Sequence, residues 1–394
     1  MKKTLRTGAL IGAAALLLAG CTPAADDSAT DAGAAPSGDA TVAGARVAVG
    51  YEGGVIVIGG DDLEVLGEFD SEEFIRLNAA GDDRHVMVTT SKGFQLLDVQ
   101  QPELTDLVVE AATAGHVVSH AGKTVLYDDA TSDTTIFDSS ALAALDGALP
   151  EAEVIPGVEA HHGVSVELED GTLLTTVGGE AGRTGIRVLD ADRTEIAASD
   201  QCPGVHGEGT AKDEAVVFGC NDGVLLYTDG EITKLTAPDA YGRSGNAYVS
   251  DDSPLIVMDY KDDPDAEGYL LHQLALVDTV AKTHTKVDLP EGIEYTYRGV
   301  GRGPAGEAVL IGTDGALHSI DAATGEVISS LPVIDAWEGP AEWQHPHPSI
   351  KVAGDIAYIT DPADSEIVAV DLTTGEIVTT VKLDHVPNEI AAIA

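Results

Sequence analysis

The chain has 394 residues and carries 67 Asp+Glu against 21 Lys+Arg, a formal net charge of −46. A surface this acidic repels nucleic acid and anionic headgroups, which excludes nucleic acid as a partner and leaves membrane contact to a covalent anchor. Aromatic residues make up only 4% of the chain, too few to favour a flat organic cofactor stacked between rings.

Residues 1–20 place Lys2, Lys3 and Arg6 ahead of an apolar run over residues 9–19, the layout of a secretory signal. The run is too short to span a bilayer and ends in Leu18-Ala19-Gly20-Cys21, which resembles a bacterial lipobox. Cleavage before Cys21 and lipidation of its sulfur are expected, leaving an extracytoplasmic protein anchored to the outer face of the cell membrane. Residues 21–44 then form a tether built almost wholly of Ala, Thr, Ser, Asp, Gly and Pro, with too few large apolar residues to order itself.

Residues 45–394 read as one all-β domain. Short β-branched runs are punctuated by turn signals such as Asp170-Gly171, Asn221-Asp222-Gly223, Asp229-Gly230 and Asp314-Gly315. Aligning the strands ahead of these hairpins exposes a repeat. It passes through Phe74-Ile75-Arg76-Leu77, then runs starting at His116, His162, His206, Asn246, Arg298 and His347, and finally Asn388-Glu389-Ile390. The spacing is that of a four-stranded blade, and eight inner strands predict an eight-bladed β-propeller. Seven blades is the alternative, because residues 241–290 are irregular. The C-terminus supplies one strand and the N-terminus three, at residues 46–49, 55–58 and 64–69, so pairing them closes the ring.

With Cys21 taken by lipid, an oxidising exterior makes a Cys202–Cys220 disulfide the default. The twelve His are the remaining unusual chemistry. His116, His162 and His206 occupy the same slot in three consecutive blades, at the start of the innermost strand, and His347 takes that slot further round. Such imidazoles converge at one mouth of the axial channel, and three or four of them suit Zn²⁺. His161 competes with His162, and His345 with His347, because one step along a strand reverses a side chain. His120, Glu208 and Asp384 are possible supplementary ligands, whereas His85, His272, His284 and His318 read as ordinary surface or strand residues. No nucleophile elbow, phosphate loop or His-Glu-Xaa-Xaa-His helix is present, so a non-enzyme is expected. Lactonase- or quinoprotein-type propeller enzymes and a passive interaction platform remain as alternatives.

Several segments resemble the AztD-type zinc metallochaperones. They are Gly115-His116 with His120, Ala160-His161-His162-Gly163-Val164, Cys202-Pro203-Gly204-Val205-His206-Gly207-Glu208 with Cys220, and residues 337–393. The resemblance implies an extracytoplasmic β-propeller, a monomer, that binds Zn²⁺ through His116, His162 and His206. It also implies delivery of the zinc to the solute-binding protein of an AztABC-type zinc ABC importer. Family members carry a flexible His-rich N-terminal segment, whereas residues 22–44 here contain no His.

Overall fold

The computed structural model describes residues 44–394; the signal, Cys21 and the tether read from the sequence lie outside them. Eight antiparallel sheets are arranged in a ring. The irregular stretch is a single blade, the sixth. Its inner strand is reduced to Ala247–Tyr248, and a loop intervenes between Leu255–Tyr260 and Gln273–Asp278. Eight blades, not seven, therefore make the ring.

Position within a blade dictates sequence. The second strand is flanked by neighbouring blades on both faces, so Arg46–Tyr51 (RVAVGY) and Ala215–Cys220 (AVVFGC) are buried throughout. The outermost strand faces solvent, and Val65–Asp70 (VLGEFD) is largely exposed. The core is accordingly divided into eight apolar packets, one between each pair of adjacent blades. Turn chemistry repeats with the blades. In Asp321-Ala322-Ala323-Thr324-Gly325-Glu326, the Asp321 carboxylate accepts the N–H groups of Ala323 and Thr324, and Gly325 adopts φ +75°. Asp371 and Gly375 repeat the device. Part of the acidity is thus turn-forming Asp as well as surface charge.

Both termini build the first blade. Arg46–Tyr51 pairs on one side with Gly54–Gly59 and on the other with Ile390–Ile393, setting Val47 opposite Ala392 and Val49 opposite Ile390. Gly50 extends the seam, donating to the Glu389 carbonyl and accepting from Asn388 N–H. Ile390, 2% exposed, packs among Val49, Tyr358 and Ile367 across the first and eighth blades. Ile390→Ala is expected to cost about 2–5 kcal/mol, read as a lower urea midpoint, and to speed opening of the ring.

Candidate metal centre

His116, His162 and His206 come together at one mouth of the channel. Their candidate ligand atoms all lie within 4.8 Å of one another, and the three ring centroids are mutually 5.1 Å apart. Each is aimed by a local irregularity. His116 lies in Ala114–His120, whose register with the next strand shifts between Ala114 and Val117. His206 opens His206–Ala211, where the register shifts between His206 and Glu208. These bulges re-aim the side chains toward the axis. The second requires Gly207, which sits at φ +66° with the Gly245 carbonyl 2.5 Å from where a Cβ would be. The Cys202–Cys220 disulfide ties the approach to His206 onto the neighbouring strand.

His162 lies in the loop before the short strand Ser165–Glu167 rather than on it. Its neighbour His161 is fixed the other way. The His161 ring meets the hydroxyls of Ser132, Thr176 and Tyr127 at 2.9, 3.0 and 3.1 Å, and the His161 backbone N–H donates to Ser132 Oγ. His162 is thereby left to face the cluster.

The outward nitrogens settle the tautomers. His206 Nδ1 contacts the Gly245 carbonyl, which can only accept, so Nδ1 carries the hydrogen. His162 Nδ1 lies 2.6 Å from Asp129 Oδ2 and likewise donates. Each neutral ring then presents a lone pair at Nε2, and those two atoms face each other at 3.0 Å. Two lone pairs in that position repel unless a cation or proton lies between them. His116 Nε2 is buried without a hydrogen-bond partner among the described residues. At Zn–N of about 2.0–2.1 Å, tetrahedral donors sit roughly 3.4 Å apart, against 3.0 Å for the His162–His206 pair and up to 4.8 Å across the three. Sequence reasoning missed Asp129 and Gly245, along with Asp259, whose carboxylate accepts the N–H groups of Gly245 and Asn246 and so fixes the carbonyl facing His206.

Burial holds His116 well below the usual imidazole range, helped by its two His neighbours and then by Arg76 and Arg183. Burial likewise brings His206 down to about 3. Both rings stay neutral at pH 7, as metal ligation requires.

The remaining candidates lie elsewhere. His347 is 2% exposed but does not join the three. Its Nδ1 turns back to the His345 carbonyl at 2.7 Å, because the eighth blade stands across the ring from blades three to five. His345 itself is exposed. His120 Nε2 pairs with Glu214 at 3.0 Å, Glu208 accepts from Thr210, and Asp384 is exposed. Of the His read as ordinary, His272 is exposed, while His85 and His318 are buried on strands against Asp82 and Ser330.

Desolvation also lowers His284 and His347 to about 4 each. For these four His, and for His161, which burial also lowers, the unfolded chain takes up protons first. The stability they contribute is complete above the unfolded value near 6.5 and is lost as pH falls toward 3–4. Glu208, raised to about 7 by burial, and Asp259 and Asp361, also raised by burial, act in the opposite sense but are outnumbered. The metal-free protein should therefore melt at a lower temperature at pH 5 than at pH 7 in thermal scans.

No family model matches the chain. In sequence it is 24% identical over 314 residues to the zinc chaperone AztD of Citrobacter koseri, covering 75% of this chain and 69% of the relative. In structure it matches apo AztD from Citrobacter koseri with TM-score 0.74 and 22% identity, covering 89% of this chain and 97% of that one. A second Citrobacter koseri AztD crystal structure gives TM-score 0.72 and 21% identity, with the same coverage of each. The dihydro-heme d1 dehydrogenase NirN, solved in complex with DHE, is more distant at TM-score 0.59 and 13% identity, covering 88% of this chain and 74% of that one. The chain thus resembles the zinc chaperone AztD in sequence, and it shares the AztD fold.

Proposed function

We propose that the protein is an extracytoplasmic zinc-binding metallochaperone, not an enzyme. It holds one Zn²⁺ between His116, His162 and His206 and passes it to the solute-binding protein of a zinc ABC importer. The observation that carries this reading is the meeting of two Nε2 lone pairs, from His162 and His206, beside the unpartnered Nε2 of His116. Three imidazole nitrogens converging on one point are a donor set that suits Zn²⁺. The likeness to a zinc chaperone and the disulfide support the reading and an oxidising location.

The domain plan proposed is a cleaved signal at residues 1–20, a lipidated Cys21 with its tether to residue 44, and the propeller from residue 45. A monomer held on the membrane by its lipid, sharing that surface with the importer's binding protein, would raise the effective concentration of the two partners. Transfer then requires access, and His162 is the exposed member of the three. An incoming ligand would approach there, displace His162 first and leave the more buried His116 and His206 to release last.

Zinc titration of the purified protein at pH 7.5 should give one tight equivalent. The combined His116→Ala, His162→Ala, His206→Ala variant should lose it while keeping its circular dichroism, and equal zinc in both proteins would falsify the site. Asp129→Asn should keep the fold and the stoichiometry but weaken zinc roughly 10–100-fold, the usual effect of removing a carboxylate that orients a ligating His.

A further inference from the structure

Beneath the mouth, the axial channel encloses a cavity of about 250 Å³, with His116 on its wall and charged side chains from the opposite half of the ring. Those charges come from four successive inner-strand positions. Arg298 precedes Val300–Arg302 of the seventh blade, Lys351 lies in Ile350–Ala353 of the eighth, Glu389 precedes Ile390–Ile393 of the first, and Arg76 opens Arg76–Ala79 of the second. Arg298 and Glu389 are only 8% and 7% exposed.

The pairing is incomplete. Arg298 Nη2 and Arg76 Nε both turn to the same atom, Glu389 Oε1, at 2.7 and 3.8 Å. Arg298 Nη1 donates to Asn388 Oδ1 at 2.7 Å. Lys351 makes no hydrogen bond or ion pair within the described residues, and its exposed side chain lines the cavity. Glu208, the other carboxylate on the wall, lies on the far side and already accepts from Thr210. Even counted as fully ionised, two carboxylates face three cations. Cations gathered round one space without an equal counter-charge repel one another, and this excess sits at the centre of a chain whose net charge is −46. Nothing in the acidic surface explains it. A cavity of this size also has room for several waters, each taking about 30 Å³ in the liquid.

We propose that the axial cavity is an anion site that takes a small oxyanion between Arg76, Arg298 and Lys351. Arginine forks and a lysine ammonium are the groups that hold phosphate and sulfate oxygens. The cavity adjoins the pocket of the three His and shares Arg76 and His116 with it, but Arg298, Lys351 and Glu389 line the cavity alone. It stands whether or not those His bind zinc.

The structure supplies its own reporter. The guanidinium carbons of Arg76 and Arg298 lie 5.7 and 5.9 Å from the centroid of the Trp343 ring, so an anion that draws them inward changes the environment of that indole. Inorganic phosphate, sulfate, acetate and sodium chloride at matched ionic strength are titrated into the metal-free protein, with tryptophan emission and melting temperature recorded. Phosphate is expected to give a saturable emission change and a higher melting temperature, with sulfate competing for the same site. A response to acetate instead would assign a carboxylate as the oxyanion. Lys351→Gln and Arg76→Gln should each weaken binding about tenfold or more, the equivalent of roughly 1.4 kcal/mol, while a combined His162→Ala, His206→Ala variant, whose changes lie outside the cavity lining, responds like the wild type. If one of the two charge variants fails to fold, the other decides. Three outcomes would overturn the proposal. They are no response to any oxyanion through the millimolar range, an equal response to chloride, and an undiminished response in the folded charge variants.

Discussion

Everything at the axis depends on the seam between Arg46–Tyr51 and Ile390–Ile393, because a propeller has a channel only if its sheets form a closed ring. An open array of the same blades would expose two edge strands and let the inner strands splay. Closure across a separation nearly as long as the chain carries a loop-entropy cost that grows slowly with length, so four residue pairs backed by the apolar packet around Val49 and Ile390 suffice. Once the ring is shut, the direction of each inner strand is set, and residues in one repeat slot meet at one mouth.

The closed ring also divides its axis into two unlike halves. Blades three to five contribute His116, His162 and His206, while blades seven, eight, one and two contribute Arg298, Lys351, Glu389 and Arg76. The cations have an effect on the histidines: Arg76 is among the charges that keep His116 neutral. A metal ion at the mouth would therefore face lone pairs on one side and positive charge below, which opposes passage down the channel. The net charge of −46 belongs to the outside of the molecule and to its turns, and says little about the axis.

The blade period, the closing strands and the three His were legible in the sequence because each is a repeated feature, and repetition survives uncertainty about any one strand. The sixth blade was harder to read because its inner strand is only Ala247–Tyr248, too short to show alternation. Asp129 and Gly245 were illegible for a different reason. They act on His162 and His206 from 33 and 39 residues away in the chain, and nothing local marks either. His347 shows the limit of arguing from register. Its slot matches the others, but slot alone does not say where in the ring the blade falls or that its Nδ1 bonds to its own loop.

What distinguishes the three His from an ordinary histidine cluster is how little freedom their outer contacts leave them. A His that can choose its tautomer can always donate to a neighbouring imidazole and be satisfied without a metal. Here Asp129 and the Gly245 carbonyl both demand a proton at Nδ1, and Asp259 holds that carbonyl in place. The conflict between the two Nε2 atoms is thus imposed from behind, by groups that do not themselves touch the space between the rings. Strain of this kind favours a cation over no ligand, yet it is built from only three neutral donors, one of them exposed. The arrangement therefore combines two half-buried donors with one that solvent reaches.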